Sequence, residues 1–139
     1  SIYKKLKDRI ENKIIHINEI QNIFKDVSID TFNKSYKESW ETKAKLSSMG
    51  LLESYKGNLK MLLVDLVDKE EASIFSELFN KNLDKLKITN TNSIVEVFQE
   101  KEFLLYIESY ISSKDKLMEI SNNLNFQNKK IVKIIFIDE

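Results

Sequence analysis

The 139-residue sequence contains no cysteine and no proline, only two glycines, one histidine and one tryptophan. Without cysteine there can be no disulfide, no thiolate nucleophile and no zinc–thiolate site, and a cytoplasmic address is expected. Without proline, and with glycine only at positions 50 and 57, the turns of an all-β sandwich lack their usual residues, so long helices joined by short turns are expected. No charge of one sign dominates: Lys+Arg and Asp+Glu both number 22, so the composition marks neither a nucleic-acid footprint nor an acidic-lipid binder. No apolar run approaches the roughly 20 residues of a membrane span, and the opening IYKKLKDRIENK lacks the apolar centre of a signal peptide.

What is present is 42% hydrophobic and 32% charged residues, a balance that suits one globular domain over residues 1–139. The stretch 92–111, NSIVEVFQEKEFLLYIESYI, carries apolar residues on several sides when wound as a helix. Ile94, Phe98 and Leu105 form one stripe, and Val97, Leu104 and Ile111 a second. A helix apolar over most of its circumference is expected at the centre of a domain.

The other segments are read around it. Residues 2–27 form a first long helix, with Leu6, Ile10, Ile14, Ile17, Ile20 and Phe24 recurring every three or four positions. Residues 31–48 form a second, whose face is the ladder Phe32, Tyr36 and Trp40. Residues 51–67 form an amphipathic helix through Leu52, Tyr55, Leu59, Leu62, Leu63 and Leu66. Asp68 caps a fourth helix over 69–86, with Phe75 and Phe79 inward, and 87–91 is a polar turn. The ending KKIVKIIFIDE is rich in β-branched residues and resembles a buried strand. The apolar register continuing from Leu117 through Ile120, Leu124, Ile131 and Ile134 nevertheless favours one helix over 114–138.

Catalytic chemistry has little to stand on. His16, alone on its helix, reads as structural or solvated, and Arg9 with His16 is a poor match to an Arg-x6-His ribonuclease pattern. The Asp-Glu after IIFI imitates a nucleotide-triphosphatase strand, but no glycine-rich phosphate loop accompanies it. Neither catalytic residues nor metal ligands are expected. The aromatic ladder is either core or one wall of an apolar cavity, for which the candidate lining is Phe32, Tyr36, Trp40, Leu59, Leu63, Phe75, Phe79, Phe98 and Leu105.

The order of these helices resembles the E, F, G and H helices of a globin. Because KEEASIFSELFNKNLDKLK offers no axial histidine, the matching form is a globin without haem. The segments SIVEVFQEKEFLLYIESYI and LNFQNKKIVKIIFIDE resemble the haem-less globin sensor domains of spore-forming bacilli: stressosome regulators, input domains of sporulation sensor kinases, and stand-alone sporulation-inhibitory proteins. The resemblance implies an all-α fold of about six helices ending in a long antiparallel pair, and a homodimer through 92–112 and 114–138. It further implies an apolar tunnel for a fatty-acid-like ligand, with an inorganic anion such as chloride beside it. The function so implied is non-enzymatic: sequestering the signal of a sensor histidine kinase and thereby inhibiting sporulation. The alternative is a helical protein-interaction module of immunity, antitoxin or phage-accessory type, with no small-molecule ligand. Neither reading involves nucleic acid or membrane insertion.

Overall fold

A computed structural model of the protein describes residues 1–52 and 55–139, without the side chains of residues 8, 9 and 52. Five strands form one wholly parallel sheet: β1 (Ile29–Asn33), β2 (Gly57–Leu63), β3 (Leu86–Thr91), β4 (Glu102–Glu108) and β5 (Lys130–Asp138). Their spatial order is β1-β5-β4-β2-β3. Among the described residues six α-helices accompany them: α1 (Ile2–Glu11), α2 (Ile17–Ile23), α3 (Trp40–Leu52), α4 (Lys69–Asn80), α5 (Ile94–Val97) and α6 (Lys114–Gln127). None of these helices is long and apolar enough to cross a membrane among the described residues.

The sheet is covered on both faces. On one face Trp40 and Ala44 of α3 and Ala72, Phe75 and Phe79 of α4 pack on Leu59, Met61, Leu104, Tyr106 and Ile135. On the other, Ile20 of α2, Val97 of α5 and Leu117 and Ile120 of α6 pack on Leu62, Phe103, Leu105, Ile107, Ile134 and Phe136. A strand covered on both faces needs apolar residues at every position, so its sequence is a continuous run without alternation. FLLYI in β4 and IIFI in β5 are such runs, and every residue in them is buried.

The crossovers β1–β2 and β2–β3 pass over the α3/α4 face, and β3–β4 and β4–β5 over the opposite one. Travel across the sheet reverses with the change of face, so the four crossovers share one hand, as parallel connections do. Counted from β2, the order reads 2-1-3-4-5, a common doubly wound arrangement, with the chain's first strand in the fifth place.

The all-α, haem-less-globin expectation is therefore wrong. Segment 92–112 is not a central helix: only Ile94–Val97 is helical, and Glu102–Glu108 is the middle strand. Segment 114–138 is helical to Gln127, where Asn128 ends it in the left-handed conformation (φ 56°), and then becomes β5. The tail has its partners in β4 and β1, both parallel to it. Residues 51–67 contain the end of α3 and then β2, 87–91 lie within β3, and 31–48 contain the end of β1, a 3₁₀ segment (Lys34–Ser39) and most of α3. Residues 2–27 hold two short helices in place of one long one. Helix α4 does begin after Asp68, whose carboxylate accepts the amides of Glu70 and Glu71, but it stops at Asn80.

Candidate functional site at the carboxyl ends of the strands

Adjacent strands whose outgoing connections depart to opposite faces leave a crevice at their carboxyl ends, where open α/β sheets bind ligands. Here those strands are β2, which feeds α4, and β4, which feeds α6. Their outgoing loops are pinned together by buried polar groups. The Ser112 hydroxyl donates to the carbonyl of Val64 (2.9 Å) and accepts the amide of Glu108 (3.0 Å). Asp65 holds a left-handed backbone (φ 66°), and its carboxylate accepts the amide of Ser113 (2.7 Å). Tyr110 is also left-handed, at φ 65°. Non-glycine residues are uncommon there; two in the two loops flanking one crevice show a backbone held by its surroundings.

Glu108 ends β4 and is 4% exposed. It projects to the α3/α4 face, where one carboxylate oxygen accepts the amide of Asp68 (3.1 Å) and the other meets the Lys34 ammonium at 2.6 Å. Glu71, 7% exposed on the first turn of α4, pairs with Lys37 at 2.9 Å, while its Oε1 lies 4.0 Å from Lys34. Both lysines belong to the 3₁₀ segment after β1, which is anchored by Trp40 Nε1 donating to the Asn33 carbonyl (2.8 Å). The Lys37 ammonium also lies 5.6 Å from the centre of the Trp40 ring, within cation–π range. Two carboxylates buried at the end of the sheet thus share cations carried by one short segment.

The electrostatics follow from this packing. Burial works against the charge on Lys34, but the hydrogen bond and charge of Glu108, aided by Glu71 and Glu139, outweigh it and hold the ammonium above its ordinary range. Tyr106 lies two residues before Glu108 on the same face and is fully buried, and its hydroxyl has no hydrogen-bond partner. Burial, reinforced by the charges of Glu71, Glu108 and Asp68, pushes that hydroxyl far above the usual phenol range. It is a neutral group beside an acidic cluster. Glu71 Oε1 and the hydroxyl of Ser109, the residue after Glu108, are likewise buried without a hydrogen-bond partner. Such atoms are few in native proteins, and each asks for an explanation. No group of three or more His, Asp or Glu side chains that could hold a metal ion occurs among the described residues.

The residues expected to line an apolar tunnel are divided between the two cores. Phe32, Trp40, Leu59, Leu63, Phe75 and Phe79 share the α3/α4 core. Their rings are in edge contact, with centroids 4.6 Å apart for Phe32–Phe75 and 5.9 Å for Phe32–Trp40. Leu105 and Phe98 belong to the opposite core, where Phe98 meets Phe103 at 5.4 Å. Tyr36, at a kink in the 3₁₀ segment, is exposed. His16 is exposed at the start of α2; the side chains of Arg9 and Leu52 lie outside the described residues.

Glu71, Glu108, Lys34 and Lys37 did not stand out in the sequence. Glu71 reads as an ordinary charge on a helix start, and Glu108 is hidden when its segment is wound as a helix. The only available signal was a carboxylate directly following an unbroken apolar run, the position at which a buried strand delivers a side chain to its carboxyl end. No family model, curated protein or solved structure matches the chain.

Proposed function

We propose that the domain binds a small hydroxylated molecule, of ribose or pyranose type, at the carboxyl ends of β4 and β2. The observation that carries this reading is a pair of buried atoms without a hydrogen-bond partner near the carboxyl ends of the strands: Tyr106 Oη, and Glu71 Oε1, whose nearest cation is the Lys34 ammonium at 4.0 Å. A network serving stability alone gains nothing by leaving a buried hydroxyl without a hydrogen bond, because such an atom costs about 1–3 kcal/mol. A carboxylate oxygen without a hydrogen bond has room for donors, and a phenol that stays neutral can donate or accept. Two neighbouring hydroxyls on one ring match both. Lys34 and Lys37 stand at the solvent side of the carboxylates and leave the mouth of the site polar.

Binding is the function this supports. The test is a thermal-shift panel of ribosides and pyranosides at millimolar concentration, with a long-chain fatty acid added to examine the apolar alternative. At least one hydroxylated class should raise the melting temperature, since a ligand of the folded state must stabilise it. The rise should vanish in both Tyr106→Phe and Glu71→Gln. A panel in which only the fatty acid stabilises would overturn the proposal, as would one in which nothing does.

A further inference from the structure

Helix α1 stands apart from the two cores. Every one of its described side chains is exposed, including four large apolar ones: Ile2 at 80%, Tyr3 at 77%, Leu6 at 51% and Ile10 at 56%. At 100° per residue these four fall within one arc of about a third of the circumference, so the stripe is continuous, and none of the described residues covers it. Lys5 borders the stripe on the Ile2 side and Lys7 on the Tyr3 side, while Lys4 and Glu11 fall on the far side of the helix, with Glu11 3.9 Å from the Lys7 ammonium. The even charge of the whole chain conceals this local sorting.

We propose that α1 docks on an anionic lipid surface, lying in the interface with its apolar stripe inserted. The placement of charge chooses this occupant. A helix that lies in a bilayer interface keeps its cations at the borders of the apolar stripe, where they reach lipid phosphates, and its acids away from the surface. Tyr3, apolar with a polar tip, has the chemistry of residues found at that depth. A second copy packing on the same stripe would set the cationic borders of the two helices against each other, with no acidic border to answer them. Insertion to this depth requires no spanning helix. Because α1 contributes no residue to either core, changes on its stripe leave the folded body intact.

The experiment is co-sedimentation of the full chain with vesicles of phosphatidylglycerol, or of phosphatidylcholine, at low and high salt. The protein should sediment with phosphatidylglycerol at low salt, and binding should weaken as salt screens the charges. Leu6→Glu should lower the partition coefficient at least tenfold. Lys5→Glu and Lys7→Glu should each lower it by more than the roughly fivefold that corresponds to losing one interfacial lysine. All three variants should keep the wild-type circular dichroism and melting temperature. Failure to sediment with phosphatidylglycerol overturns the proposal, as does sedimentation that survives Leu6→Glu. A dimer in vesicle-free solution that Leu6→Glu dissociates also overturns it, by identifying a second copy as the occupant.

Discussion

The Lys34 ammonium lies 2.6 Å from Glu108 Oε2, joining residues 74 positions apart in sequence. It ties the segment leaving the edge strand β1 to the end of the middle strand β4, across the end of β5. Glu108 is nearly enclosed, and Lys34 keeps about a quarter of its side-chain surface. In that setting the attraction is only weakly screened, and losing one partner strands the other charge.

Glu108→Gln is accordingly expected to destabilise the fold by about 3 kcal/mol, because it leaves Lys34 without its counter-charge and weakens the acceptor for the Asp68 amide. Lys34→Met removes the complementary charge. A double-mutant cycle by urea denaturation should return a coupling of about 1–3 kcal/mol between the two positions. A coupling near zero would mean that the pair stabilises nothing.

Tyr106→Phe should have the opposite effect on stability. Deleting an unpartnered buried hydroxyl removes its desolvation cost while keeping the ring against Phe75, 5.9 Å away. A gain of about 1 kcal/mol in unfolding free energy is expected, together with loss of the ligand-induced thermal shift. A more stable variant that can no longer bind is the signature of a site maintained at the expense of stability. A destabilised Tyr106→Phe would show that the hydroxyl serves the fold itself.

Alkaline pH should weaken the protein through the same cluster. Lys34 and Tyr106 both hold their protons more tightly when folded than when unfolded. Above about pH 10 the unfolded chain releases these protons first, so it binds fewer than the native state and stability falls as pH rises. Below about pH 10 their contribution is fully present. Urea midpoints measured from about pH 8 to 12 should stay level and then decline, less steeply in Tyr106→Phe and in Lys34→Met than in the wild type. Three superimposable curves would remove these groups from the account.

Phe75 is the hub of the α3/α4 core, with ring centroids 4.6 Å from Phe32, 4.9 Å from Phe79 and 6.2 Å from Trp40. Phe75→Ala opens a cavity and should cost about 3–5 kcal/mol, with a red shift of Trp40 fluorescence as water gains access. Phe126→Ala, at an exposed position of α6, should stay within about 0.5 kcal/mol. Equal effects at the two positions would contradict the packing described.

Only part of the interior was readable from composition and spacing, since Leu6, Ile10, Tyr36 and Leu66, expected on apolar helix faces, are exposed. Phe75 and Phe79 inward, Asp68 as a cap and a domain with a large core all follow from local chemistry, because caps and amphipathic faces act over four residues. The scarcity of glycine and proline was a misleading guide to fold class. In the structure, turns are made with Asp65, Tyr110 and Asn128 in left-handed conformations, work commonly given to glycine.

What only the tertiary structure decided was whether FLLYI and IIFI are helix or strand. Local sequence signals secondary structure by contrast between a wet and a dry side, and a segment enclosed on both faces has no wet side to display. Each run can be wound as an all-round apolar helix or extended as a central strand. Parallel pairing settles the matter, and parallel partners are distant in sequence: Ile135 sits between Tyr106 and Asp30. The same long-range pairing brings Glu71, Glu108 and Lys34 to one end of the sheet. Their proximity is a property of strand order, to which no local pattern in the chain refers.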